Sequence, residues 1–281
     1  MVQRSEGHFT GAGRNDLFMQ AWTPDQVRGI FVISHGLAEH SECYHPLAKT
    51  LSEDGWQVFA WDLRGHGRSE GKRGFVLNIA NFIDDYAYFL DHIQKLAKSS
   101  ADNMVLFGHS MGGLITTRYL ETHPVKYGAL ALSSPAFGLT MPVPKLKETL
   151  ANIAIKYLPT LTMFNEIKYT DLTHDPEMIR SYQKDNLRHD KISPGLFLTM
   201  VENFPLALAQ TEPLQNPTLF QVAGQDRLVS AEASRRLFDQ LSNKKNQFIL
   251  YPESFHEVFN DLDREKAIQD LKKFINPYLG A

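Results

Sequence analysis

The sequence has one cysteine, Cys43, so no disulfide can form within the chain, a pattern that fits a reducing compartment. It has no excess of charge of one sign. Twenty-nine Lys and Arg against 32 Asp and Glu leave a net charge of −3, and the basic residues are scattered. That excludes a global field drawing the chain to nucleic acid, and it excludes a polybasic membrane anchor. No apolar run approaches the length of a transmembrane helix, and the opening MVQRSEGHFTGAGRND lacks the apolar stretch of a secretory signal. The expectation is a cytoplasmic protein, with a reversible visit to a membrane or micelle surface left open. Internal repeats and low-complexity segments are also missing.

What is present is ample core material, 43% hydrophobic residues in 281, enough for one large catalytic domain or two small ones. Leu17–Ala21 reads as a strand. Gly29–Ser34 (GIFVIS) is a nearly continuous apolar, β-branched run, as in strands buried on both faces of a parallel sheet. Gln57–Trp61, Met104–Phe107, Gly128–Leu132, Thr218–Ala223 and Gln247–Tyr251 repeat the pattern. Helical patterns lie between or after them, near Tyr44–Glu53, Phe82–Ala97, Gly112–Thr122, Ala231–Leu241 and Arg264–Tyr278. Alternating strands and helices predict an α/β fold, a mostly parallel central sheet flanked by helices. Sites in such sheets sit at the carboxyl ends of the strands.

The alternation stops over residues 137–211. This stretch holds a helical LKETLANIAIKYL, the polar THDPEMIRSYQKDNLRHDK and an apolar helix near Pro194–Val201, with no clear strand. The simplest organisation is a core of residues 1–136 and 212–281 with a helical cap, or lid, at 137–211.

Gly108-His109-Ser110-Met111-Gly112 matches Gly-x-Ser-x-Gly. The five-residue pattern alone is weak, and a glycine-rich turn with an idle serine would produce it. Context makes it specific: the strand MVLF runs directly into it and the helix GGLITTRYLE leaves it. A serine on so sharp a strand-to-helix turn is pushed into the cleft, and the glycines let strand and helix approach. An attacked carbonyl becomes an oxyanion that needs preorganised N–H donors. The candidates are Met111, the residue after the serine, and Leu37, in the loop His35-Gly36-Leu37-Ala38 after GIFVIS.

A serine at its own pKa is a poor nucleophile and needs a base, itself oriented by an acid. Asp226 follows the strand TLFQVAG at the rim of the cleft. A helix cap or Asx turn is its bland alternative. His256 is the only histidine after Asp226 and follows the strand QFILYP. A metal reading of His35…Glu39-His40 fails, because the spacing has one residue too many for H-x-x-E-H and Gly36 argues against a helix there. No metal and no cofactor is expected.

These residues resemble the monoacylglycerol lipase and lysophospholipase branch of the α/β-hydrolase superfamily. The carriers are HGLAEHS at His35–Ser41, WDLRGHGRS at Trp61–Ser69, GHSMGG at Gly108–Gly113, Asp226 in GQDRLV and His256 in SFHEVF. The resemblance implies a cofactor-free ester hydrolase with a mobile apolar cap. It places Ser110, Asp226 and His256 on the triad, and Leu37 and Met111 on the oxyanion hole. Glu39 and His109 are expected to touch substrate. Two positions depart: where monoacylglycerol lipases carry an arginine and a second histidine lining the glycerol pocket, this chain has Cys43 and Phe259. Thr173–Glu177 looks more like bacterial lysophospholipase-type relatives.

The expected substrate is a small-molecule fatty-acyl monoester, monoacylglycerol or lysophospholipid. The reason is apolar surface in the cap (Leu146, Leu150, Ile153, Ile155, Leu158, Leu161, Met163 and Phe164) beyond what packing needs. The alternatives are a short-chain carboxylesterase or thioesterase of the same fold, and a non-enzymatic binding protein on this scaffold.

Overall fold

A computed structural model describes residues 1–97, 101–209 and 211–280. Eight strands form one sheet: β1 (Val2–Thr10), β2 (Asp16–Pro24), β3 (Gly29–Ser34), β4 (Trp56–Trp61), β5 (Met104–His109), β6 (Ala129–Ser133), β9 (Thr218–Ala223) and β10 (Gln247–Tyr251). Their order is β1-β2-β4-β3-β5-β6-β9-β10. β1 pairs antiparallel with β2, and β2 with β4; every other pairing is parallel.

Strand alternation sends successive side chains to opposite faces, and the core divides accordingly. Ile30 and Val32 of β3, Met104 and Leu106 of β5 and Leu130 and Leu132 of β6 join one apolar cluster. Phe31, Ile33, Val105, Phe107, Ala129 and Ala131 join the other. The first face is covered by α2 (Ala80–Leu96), α3 (Met111–Thr122) and α7 (Ala231–Phe238), through Phe82, Tyr86, Phe89, Leu114, Ile115 and Leu237. The second is covered by α1 (His45–Glu53) and α8 (Arg264–Ile275), through Leu47, Leu51, Leu271 and Phe274. With both faces covered, β3, β4, β5, β6 and β9 are buried along their whole length. Each such Leu, Ile, Val or Phe contributes about 1.5–3 kcal/mol from burial.

Between β6 and β9 the chain leaves the sheet. It forms α4 (Lys145–Tyr157), α5 (Pro176–Lys184) and α6 (Pro194–Ala207). It also forms β7 (Met163–Phe164) and β8 (Lys191–Ile192), an antiparallel pair of two residues each. The sequence pattern gave no strand here, and two-residue strands leave no periodicity to read. Helix α5 lay in the polar piece and was not expected. Its start is nonetheless written locally: Asp175 is the N-cap, accepting from Glu177 and Met178 N–H at 2.8 and 3.4 Å, and Pro176 occupies the first turn. The apolar side chains of α4 and the loop after it turn outward; Leu146 is 71% and Phe164 66% exposed. Among the described residues no helix is long and apolar enough to cross a membrane.

Candidate active site

Ser110 stands between β5 and α3 with φ 51° and ψ −120°, a conformation that costs a non-glycine residue on the order of 1–3 kcal/mol. Three backbone bonds hold it there. Its N–H donates to Ser133 O at 3.0 Å, and its carbonyl accepts from Leu114 and Ala136 N–H at 3.2 and 3.0 Å. The flanking glycines are required sterically. A Cβ on Gly112 would lie 2.2 Å from Ser34 O and 2.5 Å from His35 O, and one on Gly108 would lie 2.6 Å from Gly113 Cα. Met111 opens α3, where the first N–H groups of a helix have no intrahelical acceptor.

The loop after β3 runs beside this turn. Gly36 N–H donates to Glu39 Oε1 at 2.5 Å, and Ala38 takes φ 69°. Leu37 and Ser110 line one cavity of about 480 Å³. His35 is spoken for: Nδ1–H donates to Gly36 O at 2.7 Å and Nε2 accepts from Leu63 N–H at 2.9 Å. Neither nitrogen is left for a metal.

The loops after β9 and β10 are tied by Gln225 N–H donating to Ser254 O at 3.0 Å. They bring Asp226 and His256 together, with His256 Nδ1–H donating to Asp226 Oδ2 at 2.7 Å. The other carboxylate oxygen, Oδ1, accepts from Leu228 and Val229 N–H at 2.8 and 2.9 Å. His256 is only 3% exposed, yet it lines the same cavity as Ser110. Burial works against its protonated form, but the Asp226 carboxylate, with Glu257 and Glu39 behind it, more than compensates and raises its pKa above 6.5. His109, 4.8 Å from His256 between ring centroids, behaves oppositely. Burial and the neighbouring imidazole push it down to about 3, and its Nδ1–H donates to Ser133 O at 3.0 Å. It too lines the cavity.

One end of the cavity is polar in a way the sequence did not disclose. Arg188, from the segment between β6 and β9, is buried over the Tyr182 ring at 3.8 Å. Its Nη1 lies 3.3 Å from Glu257 Oε1, and its Nη2 lies 3.8 Å from Glu39 Oε2 and 3.4 Å from Cys43 Sγ. Tyr44 O–H donates to Glu39 Oε1 at 2.8 Å, and Asn260 donates to Glu257 Oε2 at 2.8 Å. Burial and the neighbouring Glu257 raise the Glu39 pKa; Glu257, held by Arg188 against its own burial, is lowered. Cys43 thus lies beside a guanidinium supplied from elsewhere in the chain. Phe259 packs edge-on against Phe107 at 5.5 Å. The apolar wall comes from Leu139, Ile167, Leu172, Ile192, Phe197 and Met200. The eight apolar residues the sequence put forward for an acyl pocket are not among the residues lining it, because most of them face outward.

A family model described as "Hydrolase_4: Serine aminopeptidase, S33" matches residues 25–263. The chain belongs to the Hydrolase_4 family. Among curated relatives, "Monoacylglycerol lipase" of Mycolicibacterium smegmatis is 31% identical over 98% of both chains. "Phospholipase YtpA" of Bacillus subtilis is 26% identical over 93% of this chain and all of that one. The crystal structure of Paleococcus ferrophilus monoacylglycerol lipase superposes with a TM-score of 0.82 at 29% identity, covering 99% of each chain. This Hydrolase_4 member is a serine hydrolase of the α/β-hydrolase fold, similar to monoacylglycerol lipases, as the sequence resemblance implied.

Proposed function

We propose that the protein hydrolyses fatty-acyl monoesters of a neutral polyol, monoacylglycerols foremost, through Ser110, His256 and Asp226. The observation that carries this reading is that His256, bonded to Asp226 at 2.7 Å, lines the same 480 Å³ cavity as Ser110. In the proposed cycle His256 Nε2 takes the Ser110 hydroxyl proton as Oγ attacks the ester carbonyl carbon. The carbonyl oxygen becomes an oxyanion that accepts from the N–H groups of Leu37 and Met111. The carbon–oxygen bond to the alcohol breaks, and His256 returns the proton to the departing alkoxide. Water, deprotonated by His256, then attacks the acyl carbon; the bond to Ser110 Oγ breaks, His256 returns the proton to that oxygen, and the acid is freed.

The polar end of the cavity supports the headgroup choice. At that end Glu39 and Glu257 flank Arg188, while Lys147 and Arg227, which also line the cavity, pair with Glu166 and Asp171. A phosphodiester would bring a third anion beside two carboxylates, whereas hydroxyls can donate to them. We therefore place Glu39 and His109 against the leaving alcohol, with monoacylglycerol ahead of lysophospholipid. The same arrangement disfavours an N-terminal aminoacyl substrate, because the carboxylates that would hold its ammonium already face Arg188. The apolar wall receives the acyl chain. Residues 137–211 act as the cap over a core of 1–136 and 212–281, and the outward apolar face of α4 serves for transient contact with a membrane or micelle. The single cysteine supports a cytoplasmic setting.

The test is a panel of 1-monoacylglycerols and lysophosphatidylcholines of matched acyl lengths, with p-nitrophenyl esters from acetate to palmitate. The reading predicts the highest kcat/KM on medium- or long-chain monoacylglycerol. A maximum at acetate would assign the short-chain carboxylesterase reading instead, and a preference for the phospholipid would overturn the headgroup assignment.

A further inference from the structure

The buried carboxylate of Asp261 lies outside the roles assigned so far. Its side chain is fully buried. Isolated, a charge there would cost several kcal/mol in lost solvation. It is instead surrounded by donors from the nearby loop at Phe255 and from the distant segment at His174. Phe255 N–H donates to Oδ2 at 2.6 Å and His174 N–H to Oδ1 at 2.7 Å, while His174 Nδ1–H lies 3.0 Å from Oδ2. Thr173 reinforces the junction, its hydroxyl donating to Asn260 O at 2.7 Å. The His174 ring stacks on Phe255 at 3.5 Å.

These contacts bracket His256. The N–H before it, on Phe255, is held by Asp261, and the N–H after it, on Glu257, donates to Leu172 O at 2.9 Å. The main chain of the base is therefore suspended between one carboxylate and one carbonyl, and both anchors meet the 172–174 segment that leads into α5. A rigid supporting shell of this kind holds a reacting group within the fraction of an ångström its chemistry needs.

We propose that Asp261 is a positioning residue for the reaction: it fixes the backbone that carries His256 and ties it to the 172–174 segment, so that the base is in place only while that segment is seated. The proposal rests on His256 being the base.

The experiment compares Asp261→Asn, His174→Ala, Thr173→Val and His256→Ala with wild type on a soluble monoester. Rates are normalised to active sites titrated with a fluorophosphonate, and Tm serves as the folding control. Asp261→Asn keeps the shape but turns an amide donor toward one of the N–H groups it formerly accepted from. The expected result is a 10- to 100-fold fall in kcat, with KM within threefold of wild type. The acid limb of kcat/KM should also shift downward, because an imidazole displaced from Asp226 loses the interaction that raises its pKa. His174→Ala and Thr173→Val, which leave the Asp261–Phe255 bond in place, should lower kcat three- to tenfold. A folded Asp261→Asn enzyme with wild-type kcat and an unmoved acid limb would overturn the proposal. If that variant does not fold, unchanged kcat in both 173 and 174 variants would overturn it. Full activity in His256→Ala would instead remove the underlying assignment of the base, so the two failures are distinguishable.

Discussion

Replacing Asp226 by Asn tests the acid–base arrangement with almost no change in volume. In the wild type the two carboxylate oxygens have separate duties: Oδ1 accepts from Leu228 and Val229 N–H, and Oδ2 accepts from His256 Nδ1–H. An asparagine will keep its carbonyl oxygen on the two backbone N–H groups, because the reversed amide would set a donor against two donors. Its NH₂ then faces His256 Nδ1 and forces that nitrogen to accept. The imidazole proton moves to Nε2, the nitrogen that must take the Ser110 proton. The base is present but in the wrong tautomer, a defect of about 10⁴ in kcat, or roughly 5 kcal/mol of transition-state stabilisation. The assay is steady-state hydrolysis of a monoester, with Tm measured alongside to show that the fold is intact. A folded Asp226→Asn enzyme within tenfold of wild-type kcat would show that the carboxylate has no part in setting the tautomer.

Further expectations follow from the same geometry. Wild-type kcat/KM should rise with pH through the His256 ionisation, with an acid-limb midpoint above 6.5, because Asp226 holds the imidazolium more strongly than burial opposes it. Folding stability should fall in acid. His35 and His109 are buried with pKa values lowered to about 3, so their contribution is whole above 6.5 and is lost as the pH falls from there toward 3. Between pH 6.5 and 5 the pair together loses about 3 kcal/mol, measurable as a lower urea midpoint at pH 5. His256, shifted the other way, contributes below 6.5 and loses its part as the pH rises. Gly112→Ala should lower Tm by roughly 5–10 °C, because its Cβ would meet two backbone carbonyls of β3 and the loop after it, which cannot step aside.

The sequence and the structure agree where the signal is local. Gly29–Ser34 and Thr218–Ala223 are mostly β-branched or apolar, and both are fully buried strands with the expected bounds. Gly-x-Ser-x-Gly works as a local signature because its glycines answer a steric need met within the same turn and the adjoining strand. β1 leaves no strand pattern in the sequence. It is an edge strand with mostly exposed side chains, so no alternation of apolar residues marks it. Two helices end earlier than their patterns did, α7 at Phe238 rather than Leu241 and α8 at Ile275, with a short 3₁₀ turn to Tyr278. The buried polar pairs beside the triad residues were not legible. Arg188 and Glu257 are 69 positions apart and His174 and Asp261 87, and a charged residue destined for a buried pair looks, in sequence, like one destined for solvent.

Ser110, in the shared cavity, is the proposed nucleophile. Labelling with a fluorophosphonate, followed by peptide mass spectrometry, tests this directly. The prediction is one adduct per chain, on Ser110, abolished in Ser110→Ala and strongly slowed in His256→Ala. Labelling of Ser110→Ala at the wild-type rate, or an adduct on another residue, would contradict it.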